Sequence, residues 1–301
     1  MKRLVWNDLS ASARQSALAR PRQRSDEALQ AAVRTIVEEV RDGGWSGLVD
    51  IAVRIDGEAP RAVEVGPLAK QARARLPKDQ IDAVEFAAER IRAFHEASLP
   101  SDFAMETAPG LTVRKTWRPI ERVGIYVPGG KTPLFSSLMM LAIPARAAGV
   151  REIVTVTPPR TDGGLDELIA LAGELSGIER IWTVGGAQAI AALAFGAGDI
   201  PAVDKICGPG NAWVAEAKRL VAGLPGGPAI DMPAGPSELM VIADAGADPC
   251  LVAADLLSQA EHDAAAQVVL ATTSAKVANL VQAEVYTRLA TLPRRGIAAA
   301  S

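Results

Sequence analysis

Gln259 and His262 lie three residues apart in LVAADLLSQAEHD (residues 251–263), a run without Gly or Pro. Its Ala and Leu content predicts a helix over the whole run. On a 3.6-residue period, Asp255, Ser258, Gln259 and His262 share an arc of about 100°, while Ala253, Leu256, Leu257 and Ala260 point away. An amide oxygen and an imidazole nitrogen at i and i+3 converge on one point, which suits a metal or a small polar ligand. The same pattern also describes a helix with one wet face. Two ligands alone hold no metal, so the helix needs partners from elsewhere.

Other reactive types are sparse. Cys207 ends an apolar run just before Gly208-Pro209-Gly210, where a helix N-terminus would lower a thiol pKa, but no histidine lies near it in sequence to act as its base. A Ser-His-Asp hydrolase is poorly supported, since G-x-S-x-G does not occur and His95 and His262 are the only histidines. His95, beside a helical apolar stripe, reads as a surface or boundary residue. Tyr126 lies near the end of an apolar run, where its ring either covers a nucleotide or caps the core.

The elements that must position these groups follow from periodicity. Residues 1–100 read as helical: Ser25 caps a helix that runs to Gly43, a shorter helix covers about 46–55, and another about 78–97. Residues 103–117 read as a hairpin around Pro109-Gly110. Strands are expected at VGIYV (123–127), EIVTVT (152–157), RIWTV (180–184) and DKIC (204–207), then at ELMVIAD (238–244) and AQVVLATT (266–273). The spacing of the first four leaves room for a returning helix each time, and near-continuous apolar strands in that rhythm predict a parallel sheet covered on both faces. The strands feed turns at PGGKTP (128–133), TPP (157–159), GGAQA (185–189) and GPGN (208–211). Glycine lets backbone approach a ligand, and helix N-termini beyond the carboxyl ends of parallel strands receive phosphate groups. Neither G-x-G-x-x-G nor the P-loop pattern occurs, so this is not a standard dinucleotide fingerprint.

Composition bounds the rest. A chain of 301 residues, 49% hydrophobic and 22% charged, is an ordinary globular sequence, long enough for two domains. A net charge of −3 offers no basic field for nucleic acid. Two cysteines make neither a disulfide framework nor a thiolate zinc site. The opening MKRLVWNDLSASARQ does not read as a secretory signal, and no apolar run is long enough to span a bilayer, so a cytoplasmic protein is expected.

The runs RVGIYVPGGKTPLFSSLMMLAIPARAAGV, TVGGAQAIAALAFG, KICGPGNAWVAEAKR, AIDMPAGPSELMVIAD and DLLSQAEH together resemble the histidinol dehydrogenase family, densely over about 122–273 and loosely before it. The resemblance implies an NAD-dependent, zinc-requiring oxidation of L-histidinol through histidinaldehyde to L-histidine, by a homodimer. It also implies an α/β fold with two Rossmann-like, incomplete parallel-sheet domains and an N-terminal helical segment. The boundaries expected are 1–24 for the helical segment, 25–121 and 238–301 for the two parts of a first domain, and 122–237 for a second, NAD-binding domain.

Position by position, Tyr126, Gln188 and Asn211 match residues that contact NAD in that family. Ser237 matches a substrate contact, and Gln259 and His262 match two zinc ligands that also touch substrate. The other zinc ligands, an aspartate and a histidine, and the Glu-His pair that handles water and protons fall after position 301 in the family. The sequence therefore reads as the N-terminal two-thirds of a working enzyme. The alternatives are a paralogous NAD-dependent dehydrogenase of another small polar alcohol, and a non-catalytic binding or dimerisation protein.

Overall fold

The computed structural model describes residues 2–19, 27–129, 134–160, 164–232, 238–262 and 266–301. A 3-10 turn at Trp6–Asp8 precedes helix α1 (Ala11–Ala17). Next come α2 (Glu27–Ile55), strand β1 (Ala62–Glu64), α3 (Val65–Arg75) and α4 (Lys78–Ala97). The hairpin β2 (Phe103–Ala108) and β3 (Leu111–Lys115) leads into a strand–helix alternation. Its members are β4 (Arg122–Tyr126), α5 (Phe135–Ala147), β5 (Glu152–Thr157), α6 (Glu167–Leu175), β6 (Arg180–Thr183), α7 (Gly186–Phe195), β7 (Lys205–Cys207), α8 (Ala212–Ala222) and β8 (Ala229–Ile230). The chain continues through β9 (Glu238–Ala243), α9 (Pro249–Ala260), β10 (Gln267–Thr272), α10 (Ala275–Thr291) and α11 (Arg295–Ala298).

Residues 26–234 form one compact unit, and residues 1–25 with 235–301 form another. The larger unit holds a six-stranded sheet in the order β1-β6-β5-β4-β7-β8. All neighbours run parallel except β1, which pairs antiparallel with β6 through Ala62↔Trp182. The pleat sends Val123, Ile125 and Val127 into a core built with α3, α4, α5 and α6, and Tyr126 into a second core with α2, α7 and α8. Both faces are therefore covered, which is why these strands read as near-continuous apolar runs.

This grouping differs from the expected assignment of 25–121 to a domain shared with 238–301. Here β1 hydrogen-bonds into the six-stranded sheet, and Val33, Ile36, Val37, Leu48 and Ile51 of α2 pack in one core with α7. The break expected at Gly43 is a sharp one at Gly44 (φ 55°, ψ −132°), where α2 turns back so that Arg54 reaches Glu39 at 3.1 Å. Ser25, expected to cap this helix, lies outside the described residues. The hairpin forms as expected around Gly110, with every residue of both strands exposed.

In the smaller unit β9 and β10 pair in parallel, Val241 opposite Leu270, with α9 between them in sequence. Val252, Ala253, Leu256, Leu257 and Ala260 of α9 pack with Val277, Val281 and Val285 of α10. Asp248 caps α9, its Oδ1 accepting from Cys250 N–H at 2.8 Å. Among the described residues, no helix is long and apolar enough to cross a membrane.

Candidate functional site

The turns that follow β4, β5, β6 and β7 stand side by side along the carboxyl edge of the larger sheet, and small or rigid residues let them do so. A Cβ on Gly129, after β4, would come within 2.9 Å of the Pro158 ring, after β5. A Cβ on Gly185, after β6, would meet the same ring at 2.6 Å. On the other side Gly208 (φ 125°), after β7, passes so close to β4 that a Cβ would overlap the Tyr126 carbonyl oxygen. Strand order reverses between β4 and β7, since β5 and β6 lie to one side of β4 and β7 and β8 to the other. A reversal of this kind opens a crevice outside the strand ends.

Tyr126 is buried in the core, and its hydroxyl accepts the Gly186 N–H at 3.3 Å. Burial pushes its phenol up to about 12, so it stays neutral. Its ring packs in the core with α2, α7 and α8. Gln188, on the first turn of α7, is also buried. Its Nε2 donates to Asp56 Oδ2 at 3.0 Å, and the same carboxylate oxygen accepts from Gly185 N–H at 3.3 Å. Gln188 Oε1 is buried with no hydrogen-bond partner among the described residues. The N-cap of α7, Gly185, has no side chain to cap it, and the Tyr126 hydroxyl takes the first N–H of the helix, that of Gly186.

Asn211 is exposed and is the N-cap of α8, its Oδ1 accepting from the N–H groups of Trp213 and Val214, each at 3.1 Å. That leaves its amide NH2 for other partners. The loop it closes is held from below by Lys218, whose Nζ donates to Gly208 O at 3.0 Å and to Asp231 Oδ1. Asp231 Oδ2 accepts the Gly208 N–H at 2.7 Å. Cys207 lies beside this pair. Burial first, and the Asp231 carboxylate second, push its thiol up, the opposite of an activated nucleophile.

On the smaller unit, α9 ends at Ala260, so His262 stands just past the helix rather than on it. The turn nonetheless keeps the i, i+3 relation, because His262 N–H donates to Gln259 O at 3.2 Å. Asp255, Ser258 and His262 are exposed, Gln259 is half-buried, and Leu256, Leu257 and Ala260 are buried, which is the expected division of faces. Gln259 Nε2 is buried without a hydrogen-bond partner among the described residues. A half-turn of that amide would place its oxygen there, as a metal donor requires. Among the described residues no group of three or more His, Cys, Asp or Glu side chains gathers. Gln259 and His262 by themselves fall short of the four donors of a tetrahedral zinc shell. Ser237 lies outside the described residues.

Three contributors gave no sequence signal. Asp56 looks like an ordinary acidic residue before the Gly57 that ends a helix, Lys218 sits among the surface-type charges Glu216 and Arg219, and Asp231 is a lone acid in an apolar, Pro-bearing run. Only the long-range pairings reveal them.

Comparison with known proteins agrees with this geometry. Residues 18–301 match the family model described as histidinol dehydrogenase. The chain is 47% identical over 300 residues to the histidinol dehydrogenase of Xylella fastidiosa strain Temecula1, covering 99% of this chain and 69% of that protein. It is 47% identical over 299 residues to the one of Xanthomonas campestris pv. campestris, again covering 69% of the relative. The crystal structure of histidinol dehydrogenase from Elizabethkingia anophelis superposes with a TM-score of 0.90 at 39% identity, over 97% of this chain and 67% of that one. The chain belongs to the histidinol dehydrogenase family.

Proposed function

We propose that this protein catalyses the NAD-dependent, zinc-requiring oxidation of L-histidinol through histidinaldehyde to L-histidine, as a cytoplasmic homodimer. The observation that carries the nicotinamide site is the row of turns at a strand-order reversal, with the buried and unpartnered Gln188 Oε1 among them. Taken from β6 to β8, the order is that of the first five strands of a dinucleotide-binding sheet, which supports reading 122–237 as an incomplete Rossmann-like domain. The β9-α9-β10 unit supports a second one.

In this reading Gln188 offers its amide oxygen and Asn211 its amide NH2 to the dinucleotide, while Tyr126 fixes the Gly186 turn from below. The N-cap of α7, Gly185, has no side chain, which leaves room at the helix N-terminus for a pyrophosphate. Gln259 and His262 hold zinc with ligands from the third of the relatives' length that these residues do not span, and Ser237 contacts substrate. When bound, NAD accepts hydride and zinc supplies positive charge that orients the alcohol. The side chains of this chain then bind and orient, whereas proton movement belongs to the Glu-His pair implied by the family.

The test, made on a protein that also carries the third of the relatives' length that residues 1–301 do not span, is NADH formation from L-histidinol and from alcohols lacking an imidazole, with zinc present or chelated. Zinc-dependent turnover selective for histidinol is expected. Equal turnover of non-imidazole alcohols would overturn the substrate assignment.

A further inference from the structure

Asp56 follows the last residue of α2, yet its carboxylate reaches the turn between β6 and α7. A carboxylate only accepts hydrogen bonds, so the side of the Gln188 amide that faces it is the NH2. The carbonyl oxygen is thereby turned toward Gly186, where an added Cβ would lie 2.6 Å from it. Gln188 is 1% exposed, and its Oε1 has no donor among the described residues. A buried acceptor held without a partner is expected where a ligand brings the donor. With its amide free to turn over, Gln188 would present a donor in place of an acceptor.

We propose that Asp56 is a positioning residue for the nicotinamide cofactor, locking the Gln188 side chain so that Oε1 accepts an N–H or O–H of the bound dinucleotide. This rests on the reading that the turns after β4, β6 and β7 hold NAD. Asp56 itself does not touch the cofactor. It acts through Gln188, and its bond to Gly185 N–H holds the same turn in place.

The experiment is titration of the protein with NADH, followed by fluorescence. Gln188→Leu tests the site: about tenfold weaker binding is expected. If the unsubstituted protein does not bind NADH, or if Gln188→Leu binds unchanged, the NAD reading itself falls, and the inference with it. With the site established, Asp56→Ala should weaken binding by a similar factor, and unchanged affinity would overturn the role of Asp56 alone. An exchange of groups provides the second variant. Gln188→Glu keeps an acceptor for the cofactor but sets two carboxylates against each other, so binding should fall. Adding Asp56→Asn removes that repulsion and lets residue 56 donate an NH2 to residue 188; because one Asp56 oxygen serves both Gln188 and Gly185 N–H, the Gly185 bond is given up, so affinity should recover in part, clearly above that of Gln188→Glu alone. No recovery over Gln188→Glu alone would show that Asp56 acts only as a structural residue. Because both replacements are near-isosteric, the exchange decides the matter even if Asp56→Ala does not fold.

Discussion

Lys218 and Asp231 form an ion pair beneath the Gly208 turn, and the two partners are unequally buried, with side-chain exposures of 3% and 28%. The ammonium also donates to Gly208 O, and the carboxylate also accepts from Gly208 N–H, so both backbone polar groups of one residue are held by one pair. Removing either partner therefore does unequal damage. Asp231→Ala leaves a nearly inaccessible ammonium uncompensated and is expected to cost about 3–5 kcal/mol. Lys218→Met leaves a carboxylate that water reaches and is expected to cost about 1–3 kcal/mol. Urea unfolding of both variants checks the order. Equal losses would mean the pair is hydrated in solution.

Asp231 and Asp56 respond to acid with opposite signs. Burial alone would raise Asp231, but Lys218 and the N–H groups of Gly208 and Met232 together hold it below the usual carboxylate range. Its stabilisation is present above the ordinary aspartate value of about 3.9 and is lost as pH falls through its lower folded value. Asp56 is pushed up, by burial first and by the nearby Glu58 carboxylate, against the bonds from Gly185 and Gln188. Its contribution is full below about 3.9 and is lost as pH rises through its folded value. The melting temperature of Asp56→Asn minus that of the parent should therefore increase from about pH 3 to about pH 8. A constant difference would show that Asp56 titrates normally despite its burial. Glu58, whose other oxygen pairs with Arg61, and the neutral Tyr126 are the remaining titratable groups acting on it or acted on by it.

Much of this was legible from sequence where the signal is local. The strands β4, β5, β6 and β7 announce themselves as short apolar runs because both their faces are buried, and Gly44 breaks α2 next to the Gly43 where a break is expected. Gln188 and Asn211 fall within the predicted turns, and Tyr126 ends the strand that leads into another. What failed to show is non-local. A three-residue strand such as β1 has no period to read, and α3 opens on Val-Gly-Pro, which imitates a turn. The pairing of β1 with β6 then carries 62–64 into the larger unit, and no local pattern encodes that partner. The end of α9 before His262 is equally invisible, since Glu261-His262 would continue a helix without penalty.

Gly186 and Gly57 both have positive φ, 63° and 85°, but differ in their surroundings. A Cβ on Gly57 meets nothing within 4 Å, so Gly57→Ala carries only the left-handed backbone cost of about 1–2 kcal/mol. Gly186→Ala carries that cost and also drives Gln188 Oε1 from its place, for about 1–3 kcal/mol in all. Denaturation should rank Gly186→Ala as the more damaging, and only that variant should weaken NADH binding. Weakened NADH binding by both would mean that the end of α2, not the Gln188 oxygen, governs the site.

Gln259 separates stability from metal binding. Its buried Nε2 without a partner is a cost to the metal-free fold, so Gln259→Leu should stabilise the chelated protein by about 1–3 kcal/mol. His262 is exposed, and His262→Ala should change the stability of the chelated protein by less than about 0.5 kcal/mol. If Gln259 and His262 are zinc ligands as proposed, then in a protein that also carries the remaining ligands zinc should raise the melting temperature of the parent in proportion to the logarithm of its excess over Kd. Both variants should lose that rise. The pattern is diagnostic because the two substitutions differ in their effect on the bare fold yet agree in abolishing the zinc response. A zinc response that survives in either variant would remove that residue from the ligand set, and the unpartnered Gln259 amide would then stand as an unfavourable feature of the fold.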